Sequence, residues 1–268
     1  MISIVQSVYK RNEFILETIK LNLMSLIKSG IDFTYIIFND CGDEIIKDDI
    51  KEVSNDVKYI YSKINYGNKM CAGSYVGVIP YLEGEYVQIS GQDDVMTSMF
   101  YEQVKYWFEK EKDLYFVTAN GFKVSEDLSL QSILIHPEYY IEYRESLKQF
   151  KQWFGVTNNK VTRANNNMLA SGTVYKRELH SLIGEPDLEY EGAADMEFWS
   201  RILFNEYKGT YIQNPCWYYR QSKYSAGSEI INGLINRGTK QNPGYQQFAI
   251  QRIKDKYTQL VKNDERFK

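Results

Sequence analysis

Residues 84 to 94 of the chain read Gly84-Glu85-Tyr86-Val87-Gln88-Ile89-Ser90-Gly91-Gln92-Asp93-Asp94. This stretch predicts a short apolar strand that ends directly in two adjacent carboxylates. In open α/β folds, ligands collect at the edge of the sheet where the strands end. Neighbouring carboxylates repel each other, and a divalent cation relieves that repulsion, so the pair is a candidate metal site. The alternative is a solvated turn, because aspartate is common where strands end.

Composition narrows the classes of protein that fit. The 268 residues are enough for one large domain or two small ones with an ample core. Charged residues make up 25% of the chain and the formal net charge is −3, so no basic field favours nucleic acid as a partner. Aromatic residues reach 15%, with 23 tyrosines. Tyrosine rings suit nucleobases and sugars, although a wet core uses them too.

The cysteines and the apolar segments indicate in which cellular compartment the protein is expected. Cys41, Cys71 and Cys216 are an odd number without CxxC spacing, which argues against a disulfide framework and a zinc site. The first residues lack the basic segment and the apolar core of a signal peptide. No apolar run approaches the ~20 residues that span a bilayer. We therefore expect a soluble protein of the reducing cytoplasm.

The first half of the chain alternates strands and helices. Strand composition and helical periodicity predict strands at 2–8, 33–38, 57–61 and 86–90, with helices at about 12–29, 44–53 and 70–82 between them. Asn12 is a candidate cap of the first helix. This alternation argues for an α/β fold, a mainly parallel sheet with helices on both faces.

The second half is less regular. It predicts helices at 101–110 and 194–204 and strands at 115–121, 168–174 and 211–219. Pro215 limits the last of these strands to the edge of a sheet or to a break in the strand. Residues 123–165 hold polar and aromatic segments that indicate no strand pairing. Gly, Ser and Asn favour a mobile loop at 222–244. A terminal helix docked on the core is predicted by the apolar stripe Ile250, Ile253, Tyr257, Leu260 and Val261.

Three predicted strands end in groups that suit a nucleotide: Ser7-Val8-Tyr9, Asn39-Asp40 and Asp93-Asp94. Parallel strands end at one edge of a sheet, so we expect these groups along one edge. A ring beside an acceptor carboxylate suits a base with an imide N–H, such as uracil or thymine, and the acid pair suits a divalent ion on the phosphates. Two alternatives stay open: Asp40 caps a helix that begins near Asp43, or Tyr9 belongs to the core.

Other catalytic motifs are absent from the sequence. No GxGxxG follows the first strand, and no GxxxxGK followed by Ser or Thr occurs, so a dinucleotide or P-loop site loses its main support. His136 and His180 do not accompany a nucleophile motif, which disfavours a Ser-His-Asp hydrolase. Asp195 falls at the start of a predicted helix, where it either caps the helix or accepts a proton from an attacking hydroxyl.

The order and spacing of these segments resemble glycosyltransferase family 2, whose members have the GT-A fold and use nucleotide-sugar donors. The opening Pro-Thr-Tyr-Asn-Arg of the family resembles Ser7-Val8-Tyr9-Lys10-Arg11, and its Asp-Asp-Gly-Ser resembles Asn39-Asp40-Cys41-Gly42. Further similar segments are Asn65-Tyr66-Gly67, Gly84-Glu85-Tyr86, Gln92-Asp93-Asp94 at the DxD motif, Ala194 to Arg201, and Tyr219-Arg220 with Ser222 and Ser225. The resemblance covers about residues 2 to 225.

The resemblance implies a role for each matching residue. Ser7, Val8, Tyr9 and Asp40 would bind the base, with Asp40 accepting from its N–H. Asp94 and Asp93 would bind Mg²⁺ or Mn²⁺ on the diphosphate, and Arg220 would approach the diphosphate. Asp195 would be the general base of a single inverting displacement. Three residues depart from the family pattern: Gln92, Ala194 and Asn39 each stand where the family has an acid.

The resemblance also implies an organisation and a function. Residues 1–97 would form the nucleotide-sugar half of a GT-A domain with a Rossmann-like sheet, 98–221 its acceptor and catalytic half, and 222–268 a mobile loop and C-terminal helix. We expect a metal-dependent, inverting transferase that moves a sugar from a UDP- or dTDP-sugar to a saccharide or lipid-linked saccharide in bacterial surface glycan synthesis. Peripheral membrane association is compatible with such an acceptor. The alternatives are a non-catalytic binding protein with this fold, or a sugar-nucleotide pyrophosphorylase, although Ser7 to Asn12 lacks the glycines of the latter.

Overall fold

The computed structural model of the chain describes residues 1–9, 14–42, 46–54, 57–66, 72–134, 146–162, 171–221 and 245–267. Its first half alternates strands and helices, as the sequence predicts. In chain order the elements are β1 (Ile2–Val8), α1 (Ile15–Ser29), β2 (Phe33–Asp40), α2 (Ile46–Val53), β3 (Val57–Ser62), α3 (Ala72–Val78), β4 (Tyr86–Ser90), β5 (Val95–Met96) and α4 (Ser98–Lys110).

The second half mixes short strands with helices. Its elements are β6 (Phe116–Ala119), β7 (Gly121–Val124), β8 (Leu130–Leu134), α5 (Ser146–Trp153), β9 (Val156–Thr157), β10 (Lys160–Val161), β11 (Thr173–Lys176), α6 (Leu179–Ile183), α7 (Ala194–Phe204), β12 (Gly209–Ile212), β13 (Trp217–Arg220) and α8 (Tyr245–Asn263). Short 3-10 helices lie at Ile79–Tyr81, Leu188–Ala193 and Glu265–Phe267.

Seven strands form the central sheet, in the order β12-β6-β11-β4-β1-β2-β3. β1 pairs in parallel with β2 on one side and with β4 on the other, and β2 pairs in parallel with β3. β11 is antiparallel to both of its neighbours, β4 and β6. The prediction of a mainly parallel sheet is therefore confirmed, with one reversed strand that the sequence does not indicate.

Helices cover both faces of this sheet, each over its own apolar core. α1 packs against α4 on one face, where Ile19, Leu26 and Phe100 are fully buried. The other core lies under α5, α7 and α8 and includes Phe150 and Trp199. Strands whose two faces are both covered become continuous apolar runs, which explains the composition of β1 and β2.

The terminal helix docks on the second core, as predicted. Ile253, Tyr257 and Val261 of α8 are fully buried there. Leu260, in contrast, is 40% exposed, so the buried stripe is narrower than the sequence indicates. In the described part of the chain, no helix combines the length and the apolar composition needed to cross a membrane.

The predicted strand at 115–121 is wrong in its extent, because the chain changes sheets at Asn120. β6 ends at Ala119 in the central sheet, and β7 begins at Gly121 in a second sheet, ordered β5-β13-β7-β8. The Asn120 side chain donates to the Gln213 carbonyl oxygen at 2.6 Å and fixes the crossing point. The break predicted at Pro215 is confirmed, since β12 and β13 belong to different sheets.

Two further boundaries differ from the sequence expectation. α4 begins at Ser98 and not at residue 101, and the strand predicted at 168–174 is β11, which begins at Thr173. Residues 163–170, the candidate cap Asn12 and the loop at 222–244 lie outside the described residues. The early start of α4 has a local cause: Oγ1 of Thr97 accepts the Phe100 N–H at 3.2 Å, which is the geometry of an N-cap.

We expect Thr97→Ala to lower the free energy of unfolding by about 1–2 kcal/mol, because the hydroxyl also donates to the Cys216 carbonyl oxygen at 2.6 Å. Chemical denaturation measures this change. Thr97→Ser keeps the hydroxyl and serves as the control, with stability close to that of the parent. Equal loss in both variants would contradict a capping role.

Candidate functional site

β4, β1 and β2 lie side by side and end at one edge of the central sheet, which we call the carboxyl edge. The Tyr9 N–H donates to Oε1 of Gln92 at 3.5 Å, which joins the segments after β1 and β4. A Cβ atom at Gly42, just after β2, would lie 1.5 Å from the Tyr9 carbonyl oxygen. Only glycine permits this approach, so the segments after β1 and β2 are also in contact.

Asp40 is the last residue of β2, and its carboxylate is buried at this edge. Its Oδ1 accepts the N–H of Tyr66 at 2.7 Å, in the segment that follows β3. The carboxylate therefore ties the ends of two neighbouring strands together. Its alternative role as a cap of a helix near Asp43 involves residues outside the described ones.

The three residues at the end of β1 differ in what they present at the carboxyl edge. Tyr9 is 43% exposed, so the alternative of a core tyrosine is wrong. Oγ of Ser7 is buried and has no hydrogen-bond partner among the described residues. The Val8 side chain packs in the core on the α1 side, so a ligand at this edge would meet only its backbone.

The acid pair follows β4 directly. Asp93 and Asp94 are both buried, and the side chain of Asp94 is only 3% exposed. Oδ2 of Asp94 accepts a short hydrogen bond from the hydroxyl of Ser171, whereas Oδ1 is buried without a partner in the described chain. Burial, and then the charge of Asp93, raise the pKa of Asp94 to about 7, against the lowering effect of the Ser171 hydroxyl and of the Gly91 and Arg220 backbone N–H groups.

Arg220, the last residue of β13, lies directly beside the acid pair, because its backbone N–H bonds the Asp94 carboxylate. Its guanidinium is fully buried; Nη2 donates to Oε2 of Glu17 at 2.7 Å, and the Phe14 ring lies 4.6 Å away. Nε and Nη1 have no partner in the part of the chain that the structure describes. Asp94 and Arg220 thus each carry buried polar atoms without a partner among the described residues, and such atoms are candidates to bind a polar ligand.

The acid pair fits a divalent cation with oxygen ligands from outside the protein. Asp93 and Asp94 would supply carboxylate oxygens, and the unpartnered Oδ1 of Asp94 is the type of ligand that Mg²⁺ prefers. Within the described ranges, no group of three or more acidic, His or Cys side chains could hold a metal. A cation bound by this pair would take its other ligands from water or from a phosphate.

Asp195 lies in the first turn of α7, where its Oδ1 accepts the N–H of Met196 at 2.7 Å. Further along α7, Arg201 donates to the carbonyl oxygens of Ile183, the last residue of α6, and of Glu185. These contacts join α7 to the end of α6. The convergence of Asp195 with Asp40 and Asp94 stays a prediction.

Three buried side chains that contact the segments around the acid pair, those of Gln6, Gln88 and Asn22, are not among the predicted site residues. Gln6 donates to the Gln92 carbonyl oxygen at 2.8 Å, and Gln88 donates to the Ser171 carbonyl oxygen at 2.8 Å. Asn22 of α1 contacts the backbone around Asp94 from the other side. A signal for the first two was present, since each is a glutamine in the middle of an otherwise apolar strand, where a buried amide must find partners.

Glu197, which the family resemblance includes, serves the fold. It is fully buried two residues after Asp195, and its carboxylate receives Nε of Arg201 at 2.9 Å and Nζ of Lys256 at 2.6 Å. The ion pair with Lys256 ties α7 to the terminal helix α8. The Glu197 carboxylate is thus neutralised within the core, which gives Glu197 a structural role.

Comparison with known proteins identifies both a family and a fold. The sequence model of glycosyl transferase family 2 matches residues 3–180. No curated protein sequence matches the chain. Solved structures are similar at low identity, and those of S. aureus TarS illustrate the level of similarity.

The TarS 1–349 structure in complex with UDP has a TM-score of 0.56 at 15% identity and covers 83% of this chain. The complex of TarS 1–349 with UDP-GlcNAc has a TM-score of 0.57 at 12% identity and covers 98% of this chain and 74% of that one. A longer TarS structure gives 0.58 at 14% identity over 94% of this chain. This chain spans 61% of the first of these proteins and 42% of the last. The shared fold confirms the predicted GT-A type.

We expect Asp94→Asn to stabilise the ligand-free protein at pH 8 by about 1–3 kcal/mol. The folded-state pKa of Asp94 is about 7, above the ordinary value of 3.8, so the folded state binds the proton more tightly and loses stability as the pH rises through this window. The difference between variant and parent therefore shrinks towards zero as the pH falls to 4.

Denaturant unfolding of parent and variant from pH 4 to pH 8 measures this difference. Asp48→Asn changes an exposed acid on α2 and serves as the control, with little change at any pH. An Asp94→Asn protein less stable than the parent at pH 8 would contradict the raised pKa.

Proposed function

This chain belongs to glycosyl transferase family 2, and from that membership we propose that it transfers a sugar from a UDP- or dTDP-linked donor to a hydroxyl acceptor, with inversion at the anomeric carbon. One observation supports the proposal: in the described structure, Oδ1 of Asp94 and two guanidinium nitrogens of Arg220 are all buried without hydrogen-bond partners. A nucleotide diphosphate provides a partner for both. Guanidinium groups pair directly with phosphate oxygens, and carboxylates reach them through a divalent cation.

The base of the donor would lie against the ends of β1 and β2. The buried Asp40 carboxylate is suited to accept the imide N–H of uracil or thymine, a bond that cytosine could not donate. The exposed ring of Tyr9 would pack on the base, and the unpartnered Ser7 hydroxyl would bond its edge or its ribose. Val8 would contribute backbone contacts alone.

Asp94, with Asp93, would hold Mg²⁺ or Mn²⁺, and metal dependence is part of this proposal. Such an ion, when bound, neutralises charge that develops on the leaving diphosphate. Arg220 adds a positive charge beside the acid pair, with Nε and Nη1 unpaired in the described structure. Its third nitrogen, Nη2, stays on Glu17, which orients the guanidinium.

Asp195 would act as the general base. A carboxylate within reach of the acceptor hydroxyl can take its proton as that oxygen attacks. In the reaction, the acceptor oxygen bonds to the anomeric carbon, the bond from that carbon to the diphosphate oxygen breaks, and the hydroxyl proton passes to Asp195. Attack on the face opposite the leaving group produces inversion.

The proposal also covers the acceptor and the cellular setting of the reaction. We assign donor binding to residues 1–97 and acceptor binding to 98–221, with 222–268 completing the domain. The similar TarS structures are complexes with UDP and with UDP-GlcNAc, which makes UDP-GlcNAc the first donor to test. A saccharide or lipid-linked saccharide acceptor, synthesis of a bacterial surface glycan and a cytoplasmic location stay predictions.

Ala194 favours a second candidate function, a non-catalytic protein that binds nucleotide sugars, because the family pattern has an acid at this position. Incubation with a panel of UDP- and dTDP-sugars and saccharide acceptors distinguishes the two. Release of UDP or dTDP together with a new glycoside supports the transferase. Binding without release supports the second candidate.

We expect Asp195→Asn to lower kcat by about 10³-fold while the affinity for UDP stays unchanged, because the variant loses proton acceptance alone. Initial-rate assays and calorimetry measure these two effects. The control is Asp187→Asn, since Asp187 also accepts a nearby backbone N–H, that of Glu189, eight residues before the proposed base. Near-normal turnover of Asp195→Asn would show that another group takes the proton.

For Asp94→Asn we expect calorimetry to detect at least a 10-fold loss of UDP affinity in Mn²⁺, and little change when the metal is chelated. The neutral amide no longer offsets the charge of the cation, and this is the physical reason for the loss. Asp48→Asn again provides an exposed control. UDP affinity that depends on Mn²⁺ equally in parent and variant would refute the metal role of the acid pair.

A further inference from the structure

Asn22 of α1 makes contacts unusual for a helical side chain, because its amide bonds the backbone on both sides of Val95, the residue that follows the acid pair. Nδ2 donates to the Asp94 carbonyl oxygen at 3.1 Å, and Oδ1 accepts the N–H of Met96 at 2.7 Å. The side chain is 1% exposed and also contacts the hydroxyl of Tyr35 at 3.4 Å. Its carboxamide thus bonds the Asp94 carbonyl oxygen and the Met96 N–H, the kinds of backbone group that a neighbouring strand would bond.

β13 pairs with one side of β5, so the backbone groups of β5 that point to the other side need a different partner. Trp217 and Tyr218 of β13 lie opposite Met96 and Val95, and the N–H of Thr97 points the same way, to the Cys216 carbonyl oxygen at 3.3 Å. The Met96 N–H points the other way, into the interface with α1. A buried backbone group left without a partner there would be destabilising, and Asn22 supplies the partner.

The Asp94 peptide is therefore fixed by Asn22, while its carboxylate is fixed by a different residue, Ser171. Ser171 bonds Oδ2 of the carboxylate, and its hydroxyl also accepts the Gly91 N–H at 3.2 Å. With the peptide and one oxygen both fixed, the direction of the remaining oxygen, Oδ1, is fixed as well. Side chains that hold a ligand-binding group from behind in this way set its geometry without touching the ligand.

We propose that Asn22 is a positioning residue for the reaction: it fixes the peptide of Asp94 so that Oδ1 faces the divalent cation on the donor's diphosphate in the productive orientation. The inference rests on the proposed function, which assigns Asp94 to the diphosphate. Asn22 acts through Asp94 alone and contacts neither donor nor acceptor. Its effect is therefore expected on donor affinity and turnover, with the KM for the acceptor unchanged.

The test compares Asn22→Leu with Thr18→Val. Leucine has a similar shape and removes both hydrogen-bonding groups of the amide. Thr18 lies one turn earlier on α1, is 0% exposed, and its hydroxyl has no partner within the described chain, so its substitution is a matched buried control. Asn22→Ala, which leaves space for water at both backbone groups, is the second variant if Asn22→Leu does not fold.

Two measurements are made on each full-length variant. Hydrogen–deuterium exchange of the segment 91–97 should rise in Asn22→Leu and not in Thr18→Val, because the Met96 N–H loses its acceptor. Calorimetry with UDP and Mn²⁺, and initial rates with the donor, should show a loss of about 10- to 100-fold in affinity and in kcat/KM for Asn22→Leu only.

Each contrary outcome has a separate meaning. Faster exchange in 91–97 with unchanged kcat/KM and UDP affinity would make Asn22 a purely structural residue and overturn the inference. Equal effects of Asn22→Leu and Thr18→Val would overturn it too. A parent protein that binds no nucleotide and releases none from any donor contradicts the proposed function itself, and the inference then falls with it.

Discussion

The Asp94 carboxylate is buried beside a second acid, Asp93, and the groups around them must offset the cost of this arrangement. A charged carboxylate with one oxygen unsatisfied and a second acid next to it is unfavourable in the ligand-free protein. The fold maintains it nevertheless, with hydrogen bonds from Ser171 to one oxygen and from Asn22 to the backbone. Groups held in an unfavourable state by their surroundings are concentrated at functional sites, which makes this acid pair the candidate centre of the site.

The sheet order explains why the acid pair lies next to the other predicted residues. From β1 the chain proceeds to β2 and β3 on one side, whereas β4 joins β1 on the other side. The strand order reverses between β1 and β4, and the carboxyl edge beside such a reversal is the common ligand position of open α/β sheets. The hydrogen bond from the Tyr9 N–H to Gln92 lies at this point. The reversed strand β11 adds Ser171 to the same edge, so the second half of the chain also contributes to the acid pair's surroundings.

Sequence patterns predicted the elements that have a simple period or a buried apolar run. β1, β2, β4 and α7 were recognisable, and so were the polar strand ends Asp40 and Asp94, because parallel strands end together. The direction of β11 and the crossing at Asn120 were not, since pairing partners distant in the chain leave no local pattern. Asn22 was equally hidden: an asparagine within an amphipathic helix resembles any polar helical residue until the strand that it bonds is known. The ion pair of Arg220 with Glu17 joins residues from opposite ends of the chain and has no signal in either segment.

For the proposed reaction, Asp40, Asp94 and Asp195 must face one nucleotide-sugar cleft at the carboxyl edge. A crystal structure of the protein with UDP and Mn²⁺ tests this most directly. We expect the uracil N–H on the Asp40 carboxylate, the diphosphate between Asp94 and Arg220, and the Asp195 carboxylate facing the terminal phosphate across the space for the sugar. UDP bound away from Asp40 and Asp94, or Asp195 turned away from its diphosphate, would contradict the account.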